Sequence, residues 1–189
     1  MILSILIPTL PDRVDLLSNL TNELDRQIKS LGKESDIEIL LDFRDRETPT
    51  GTKRNALLRR SVGKYVWFID DDDTIAPNAI ELLLNAFKKD PDVIGINGEM
   101  STDGTNIVDW EIRLNNPYQA ITRDNKTIYV RWPNHITPMR SSIAKQIDFP
   151  DITLGEDYRW SVLLKDSGLL KTEIIITEKI YFYKFISNK

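Results

Sequence analysis

Residues 65–73 read Tyr65-Val66-Trp67-Phe68-Ile69-Asp70-Asp71-Asp72-Asp73, an apolar run that ends in four consecutive acids. Large apolar residues in unbroken succession describe a strand buried on both faces, as in a parallel sheet covered by helices. Four adjoining carboxylates repel one another and ordinarily mark a solvated turn or tail. Here they terminate a buried strand. The crevice beyond the carboxyl ends of the strands is where open α/β sheets bind ligands, and carboxylate oxygens suit hard cations such as Mg2+ or Mn2+. The first expectation is therefore a metal site, set against a plain acidic turn.

The elements on either side agree with that frame. Residues 2–7 form an apolar run ended by Pro8, and 37–41 form a second run ended by Asp42. Between them Asp12 is placed to cap a helix whose stripe is Leu16, Leu17, Leu20, Leu24, Ile28 and Leu31, before Gly32. A helix is expected over 52–61 with Gly63 as its stop. Pro77 fits the first turn of another reaching about residue 89, followed by a strand at 93–96. The first hundred residues thus read β-α-β-α-β-α-β. Further on, 107–112 and 127–132 suggest antiparallel additions, the latter after the turn Arg123-Asp124-Asn125-Lys126. Gly155-Glu156-Asp157-Tyr158 opens a helix that stops near Gly168, and two strands, 173–177 and 180–185, close the chain. The fold class is α/β, a mostly parallel sheet flanked by helices with a small antiparallel addition in the C-terminal half.

Composition narrows the function. With 189 residues, 41% hydrophobic and 29% charged, the chain fits a single domain with a sizeable core. A net charge of -4 argues against the broad positive field that nucleic-acid binding needs. Cysteine is absent, which excludes disulfides and thiol chemistry. The apolar start is interrupted by Pro8 and reads as a strand, not a signal peptide, and no stretch approaches the roughly 20 apolar residues of a membrane helix. A soluble, cytoplasmic protein without an extra acceptor or membrane domain is the expectation.

Taken together, Ile5-Leu6-Ile7-Pro8-Thr9, Lys53-Arg54-Asn55 opening a helix, Phe68-Ile69-Asp70-Asp71-Asp72-Asp73 and Gly155-Glu156-Asp157-Tyr158-Arg159-Trp160 resemble family 2 glycosyltransferases of the GT-A fold, a Rossmann-like arrangement. The order and spacing carry the resemblance, since Asp-x-Asp alone is common. It implies one domain over 1–189, with a nucleotide-sugar-binding half at 1–100 and an acceptor-binding half at 101–189. It also implies an inverting transfer from a nucleotide-diphosphate sugar, with a UDP-linked donor the expectation, to a glycan or other hydroxyl acceptor.

The resemblance assigns roles that chemistry makes sensible. A departing nucleoside diphosphate develops negative charge, which a divalent cation stabilises as a Lewis acid. Asp70 and Asp72 form the Asp-x-Asp pair, with Asp73 a further metal candidate and Asp71 touching ribose or metal-bound water. Pro8, Thr9 and Asp42, at the ends of the first two strands, resemble nucleoside-contacting positions, and Arg54 resembles a diphosphate contact. Lys53 and Arg54 near the positive end of a helix are themselves informative, because cations are disfavoured there without an anionic partner. Asp157 is the expected general base for the acceptor hydroxyl, Glu156 an orienting group, and His135, the only histidine, a possible lining of the sugar pocket. The histidine that often completes the metal shell near the C-terminus has no counterpart. Trp110, Trp132 and Trp160 could stack on sugars or pack in the core. Two alternatives remain at this point: a haloacid-dehalogenase-like phosphatase using Asp70 and Asp72, and a sugar-nucleotide-binding module without catalysis.

Overall fold

In a computed structural model of the protein, which describes residues 1–185, fifteen elements follow one another. They are β1 (Leu3–Pro8), α1 (Val14–Ser30), β2 (Ile37–Asp42), α2 (Thr50–Arg60), β3 (Tyr65–Phe68), β4 (Thr74–Ile75), α3 (Ala79–Phe87) and β5 (Val93–Thr102). There follow β6 (Thr105–Ile112), β7 (Gln119–Arg123), β8 (Lys126–Arg131), β9 (Met139–Arg140), α4 (Ser141–Ala144), α5 (Glu156–Ser167) and β10 (Glu173–Phe185).

The apolar runs become central strands for the reason the sequence indicates. Every residue of β1 and β3 is buried, and both neighbours of β1 run parallel to it: Ile5 lies opposite Ile39 of β2 and Trp67 of β3. Alternation along β3 divides two cores. Tyr65, Trp67 and Ile69 face the side covered by α1 and α3, whereas Val66 and Phe68 face the side covered by α2, α4 and α5. On the second side Phe149 lies flat against Trp160, centroids 4.5 Å apart. Trp160 is thus core, not a sugar platform.

The strand order β2-β1-β3-β9-β5-β6-β8-β7 departs from the sequence reading in instructive places. Two-residue β9 lies antiparallel between β3 and β5, so the fourth expected strand does not sit directly beside the third. Such a short bridge has no periodicity to read. β6 pairs antiparallel with β5 but parallel with β8, so that part of the expected antiparallel addition is mixed. β7 and β8 form a hairpin about Asp124 and Asn125, both with positive φ, as the turn sequence indicates. The two strands expected at the end are one strand, β10, bent by register shifts about Lys179 as it pairs with β5.

Helix ends also differ from expectation. Asp12 does not cap α1, which lacks a side-chain cap, because its carboxylate pairs instead with Arg46 at 2.7 Å. Gly63 does not stop α2; a Cβ there would meet Ser4 N at 2.5 Å, so glycine permits close strand approach. Gly51 has a similar role that the sequence did not reveal. Its N–H donates to Ile152 O at 3.1 Å and a Cβ would lie 1.9 Å from Pro150 O, so the start of α2 rests directly on the 150–152 backbone. Asn55 completes that seam, exchanging hydrogen bonds with both backbone groups of Phe149. The contact brings α2 and the start of α5 to the same end of the sheet.

Candidate active site

The acid run lies just past the carboxyl end of β3, where the chain turns with Asp73 N donating to Asp70 O at 3.1 Å. The turn sends the four carboxylates to different partners. Asp70 meets Arg54 Nη2 at 2.9 Å and His135 Nε2 at 3.4 Å. Asp71 accepts from Thr9 Oγ1 at 2.6 Å and pairs with Arg13 at 2.9 Å, and Asp72 pairs with the same guanidinium at 2.7 Å. Asp73 turns away into the protein, accepting from Tyr181 Oη at 2.6 Å and Lys184 N at 2.9 Å.

These surroundings separate the acids electrically. Burial works against the Asp70 anion, but the adjacent Arg54 guanidinium, followed by His135, holds its carboxyl well below the usual range. Burial pushes Asp71 upward despite the Thr9 bond and Arg13. Burial and then the charge of Asp70 push Asp73 up to about 8. The geometry does not support Asp73 as a metal ligand: it does not line the crevice, and its oxygens serve Tyr181 and the backbone of β10. Asp42 likewise stands behind the wall, with both oxygens occupied by Arg44.

Arg54 is the hub. Although it is only 3% exposed, its Nη2 reaches Asp70 and its Nε reaches Glu156 Oε1 at 3.2 Å, while its plane lies over Phe68, 5.3 Å from the ring centroid. Burial opposes its charge, yet Asp70 and then Glu156 raise its pKa further above the ordinary range. Lys53, also buried, is part of the crevice wall, and its Nζ donates to Thr9 O and Arg44 O, tying two loops together. His135 lies between Asp70 and the candidate base, with Nδ1 3.7 Å from Asp157 Oδ2. Asp157 remains substantially exposed at the start of α5, after Gly155 in the left-handed conformation.

Two cavities meet at this hub. A crevice of about 650 Å3 is lined by Pro8, Thr9, Arg13, Arg54, Asp70, Asp71, Asp72 and Tyr183 among others. A second cavity, about 410 Å3, shares Arg54, Asp70 and Tyr183 and adds His135, Glu156, Asp157 and Trp110. Three buried nitrogens without a hydrogen-bond partner among the described residues belong to side chains lining the second cavity: Arg54 Nη1 and Trp110 Nε1, which can only donate, and His135 Nδ1, whose role follows the tautomer. Buried donors are rarely left unpaired, so the cavity calls for an oxygen-rich ligand. Arg13, Tyr181 and Tyr183 were not evident from sequence. The useful signal for Arg13 was electrostatic, since Asp71 and Asp72 require a nearby cation; the tyrosines read simply as strand residues.

Donor chemistry permits a divalent cation. Among the described residues no three His, Asp or Glu side chains form a ready cage, but Mg2+ commonly takes one or two carboxylates and fills the rest of its shell with water and phosphate. Asp70 and Asp72 supply that pair, both on the crevice wall. Their present counterions are the arginines.

Comparison with protein families matches residues 18–149 to the model described as glycosyl transferase family 2. The matched span includes Arg54, the acid run and His135, but not Glu156 or Asp157. Among solved structures, S. aureus TarS 1-349 in complex with UDP-GlcNAc is similar at TM-score 0.69 and 16% identity, over 100% of this chain and 60% of that one. TarS 1-349 in complex with UDP gives 0.68 and 16%, covering 97% of this chain and 60% of that one. TarS itself gives 0.66 and 16%, covering 97% of this chain and 37% of that one. At that identity the likeness speaks for the fold. The present chain therefore spans about three fifths of TarS 1-349 and little more than a third of TarS.

Proposed function

The chain belongs to glycosyl transferase family 2, and on that premise we propose that it transfers a sugar from a UDP-linked donor to an acceptor hydroxyl with inversion at the anomeric carbon. The observation that carries this reading is the junction of the two cavities at Arg54 and Asp70, with the unpaired donors on the sugar side and Asp157 beside them. The TarS complexes with UDP and UDP-GlcNAc support the choice of donor.

In this assignment the nucleoside lies against Pro8, Thr9 and Asp71, while Arg13 and Arg54 face the diphosphate. Asp70 and Asp72 would hold a divalent cation, which, when bound, would offset the charge that develops on the leaving diphosphate. Asp157 accepts the proton of the acceptor hydroxyl as its oxygen bonds to the anomeric carbon. The bond from that carbon to the diphosphate oxygen breaks on the opposite side, and its electron pair departs with the nucleoside diphosphate. His135 stands between the two carboxylates, with Nε2 3.4 Å from Asp70 and Nδ1 3.7 Å from Asp157. Glu156 fixes Arg54 instead of contacting the reacting atoms.

The test is an Asp157→Asn variant assayed for UDP binding and for sugar release from UDP-sugars. Binding within about twofold of the parent, with turnover lower by about 100-fold or more, is the expected result for a lost base. Near-normal turnover would move the base elsewhere, and a product that keeps the donor's anomeric configuration would overturn the displacement.

A further inference from the structure

A third concavity, about 560 Å3, lies on the far side of the cavity that holds Asp157, with Leu164 and Pro133 in its wall and Lys165 and Lys171 beside them. The two abut at successive residues: Pro133 lines one and Asn134 the other, and Pro117 and Tyr118 divide in the same way. The ridge between them is aromatic. Tyr118, Trp132 and Tyr158 lie with ring centroids 5.0 Å to 6.5 Å apart. None belongs to either hydrophobic core, and Tyr118 and Tyr158 are 42% and 47% exposed. Tyrosine offers an apolar ring with a polar end, so a wet ridge of such rings next to a general base suits the face of a sugar better than it suits core packing.

The charge beyond the ridge is one-sided. Lys165 Nζ stands 3.9 Å from the Trp132 ring centroid, and Lys171 Nζ lies near Gly168 at the end of α5. Among the described residues, neither ammonium has a carboxylate partner. The carbonyl end of α5 makes it tolerable to hold both cations there; no acidic side chain lines the cavity, and the nearby carboxylates of Glu173 and Asp92 are taken up by the backbone N–H groups of Leu114 and of Lys171 and Thr172. From Asp157 to Lys165 the helix rises about 12 Å, farther than one sugar ring extends.

We propose that the ridge and the third cavity continue the acceptor site and select an oligosaccharide that carries an anionic group, carboxylate or phosphate, on a unit next to the one presenting its hydroxyl to Asp157. The proposal rests on the glycosyltransferase reading and names its acceptor class.

Calorimetry in the presence of UDP, at about 50 and 200 mM salt, compares three oligosaccharides of equal length: neutral, uronic-acid-bearing and phosphate-bearing. At least one acidic oligosaccharide is expected to bind ten times more tightly than the neutral one, with an advantage that shrinks in high salt, and the two acidic arms identify the anion. Lys165→Gln with Lys171→Gln removes that tenfold advantage and leaves neutral binding as it was, whereas Tyr118→Ala weakens both classes. Equal affinity for neutral and acidic oligosaccharides, no binding of either acidic one, or lysine variants with full preference would each overturn the inference. UDP affinity is read in the same samples. Failure of the parent protein to bind UDP would refute the donor assignment itself, whereas UDP binding without anion preference refutes only the acceptor class.

Discussion

Single residues in the acid run have opposite duties despite identical chemistry. Asp70, Asp71 and Asp72 border the crevice, but Asp73 fastens the last strand through Tyr181 and Lys184 N. Tyr181 is the central piece of that fastening, because its hydroxyl donates to Asp73 and accepts from Asp70 N. Tyr181→Phe leaves two polar groups without a partner in a buried setting, for an expected loss of about 1–3 kcal/mol in urea unfolding. A loss under about 0.5 kcal/mol would mean that Asp73 and Asp70 find partners elsewhere. The identity of these residues was plain from sequence, but their division of labour was not, since it depends on the direction in which one turn points each side chain.

At the scale of elements, the seam between α2 and the 150–152 backbone sets the distance from Arg54 to Glu156 and Asp70. Gly51→Ala inserts a methyl against Pro150 O, and the overpacking should cost about 1–3 kcal/mol. Because Arg54 lies one turn further along α2, UDP affinity should fall as well; an unchanged affinity would show that the seam does not position Arg54. A second junction ties β3, β5 and β9. Asp90 meets Lys64 at 2.6 Å, Tyr65 Oη at 3.1 Å and Arg140 at 3.0 Å, and these bonds hold its carboxyl down at about 2. With the folded value below the unfolded one, its stabilisation is present above the ordinary carboxylate range and is lost as pH falls toward 2. The stability difference between the parent and Asp90→Asn should therefore shrink between pH 5 and pH 2 in matched denaturant series. A difference that stays constant or grows would contradict the pairing. The cluster is exposed, so the effect should weaken in high salt.

For the whole molecule, donor binding is a stability measurement. A ligand at about 100 times its Kd adds roughly 2.7 kcal/mol, which for a chain of this size corresponds to a Tm rise of about 5–10 °C. With Mn2+ present, UDP should give that rise; EDTA should abolish most of it, and Asp72→Asn should reproduce the effect of EDTA. A full rise in EDTA would show that Arg13 and Arg54 hold the diphosphate without a cation.

The sequence by itself determined the parallel half of the sheet, its helices, the end of the sheet where the crevice opens and the candidate acids, because unbroken apolar runs and turn residues report burial and chain direction locally. It could not determine that β9 divides β3 from β5, that residues 173–185 form one bent strand, or that Asp42 and Asp73 stand behind the crevice wall. Nor could it supply Arg13 as partner to Asp71 and Asp72, or His135 as the link between Asp70 and Asp157. These are contacts between residues up to 111 positions apart, as with Lys184 and Asp73. No local pattern encodes them; they follow from the packing of the completed sheet.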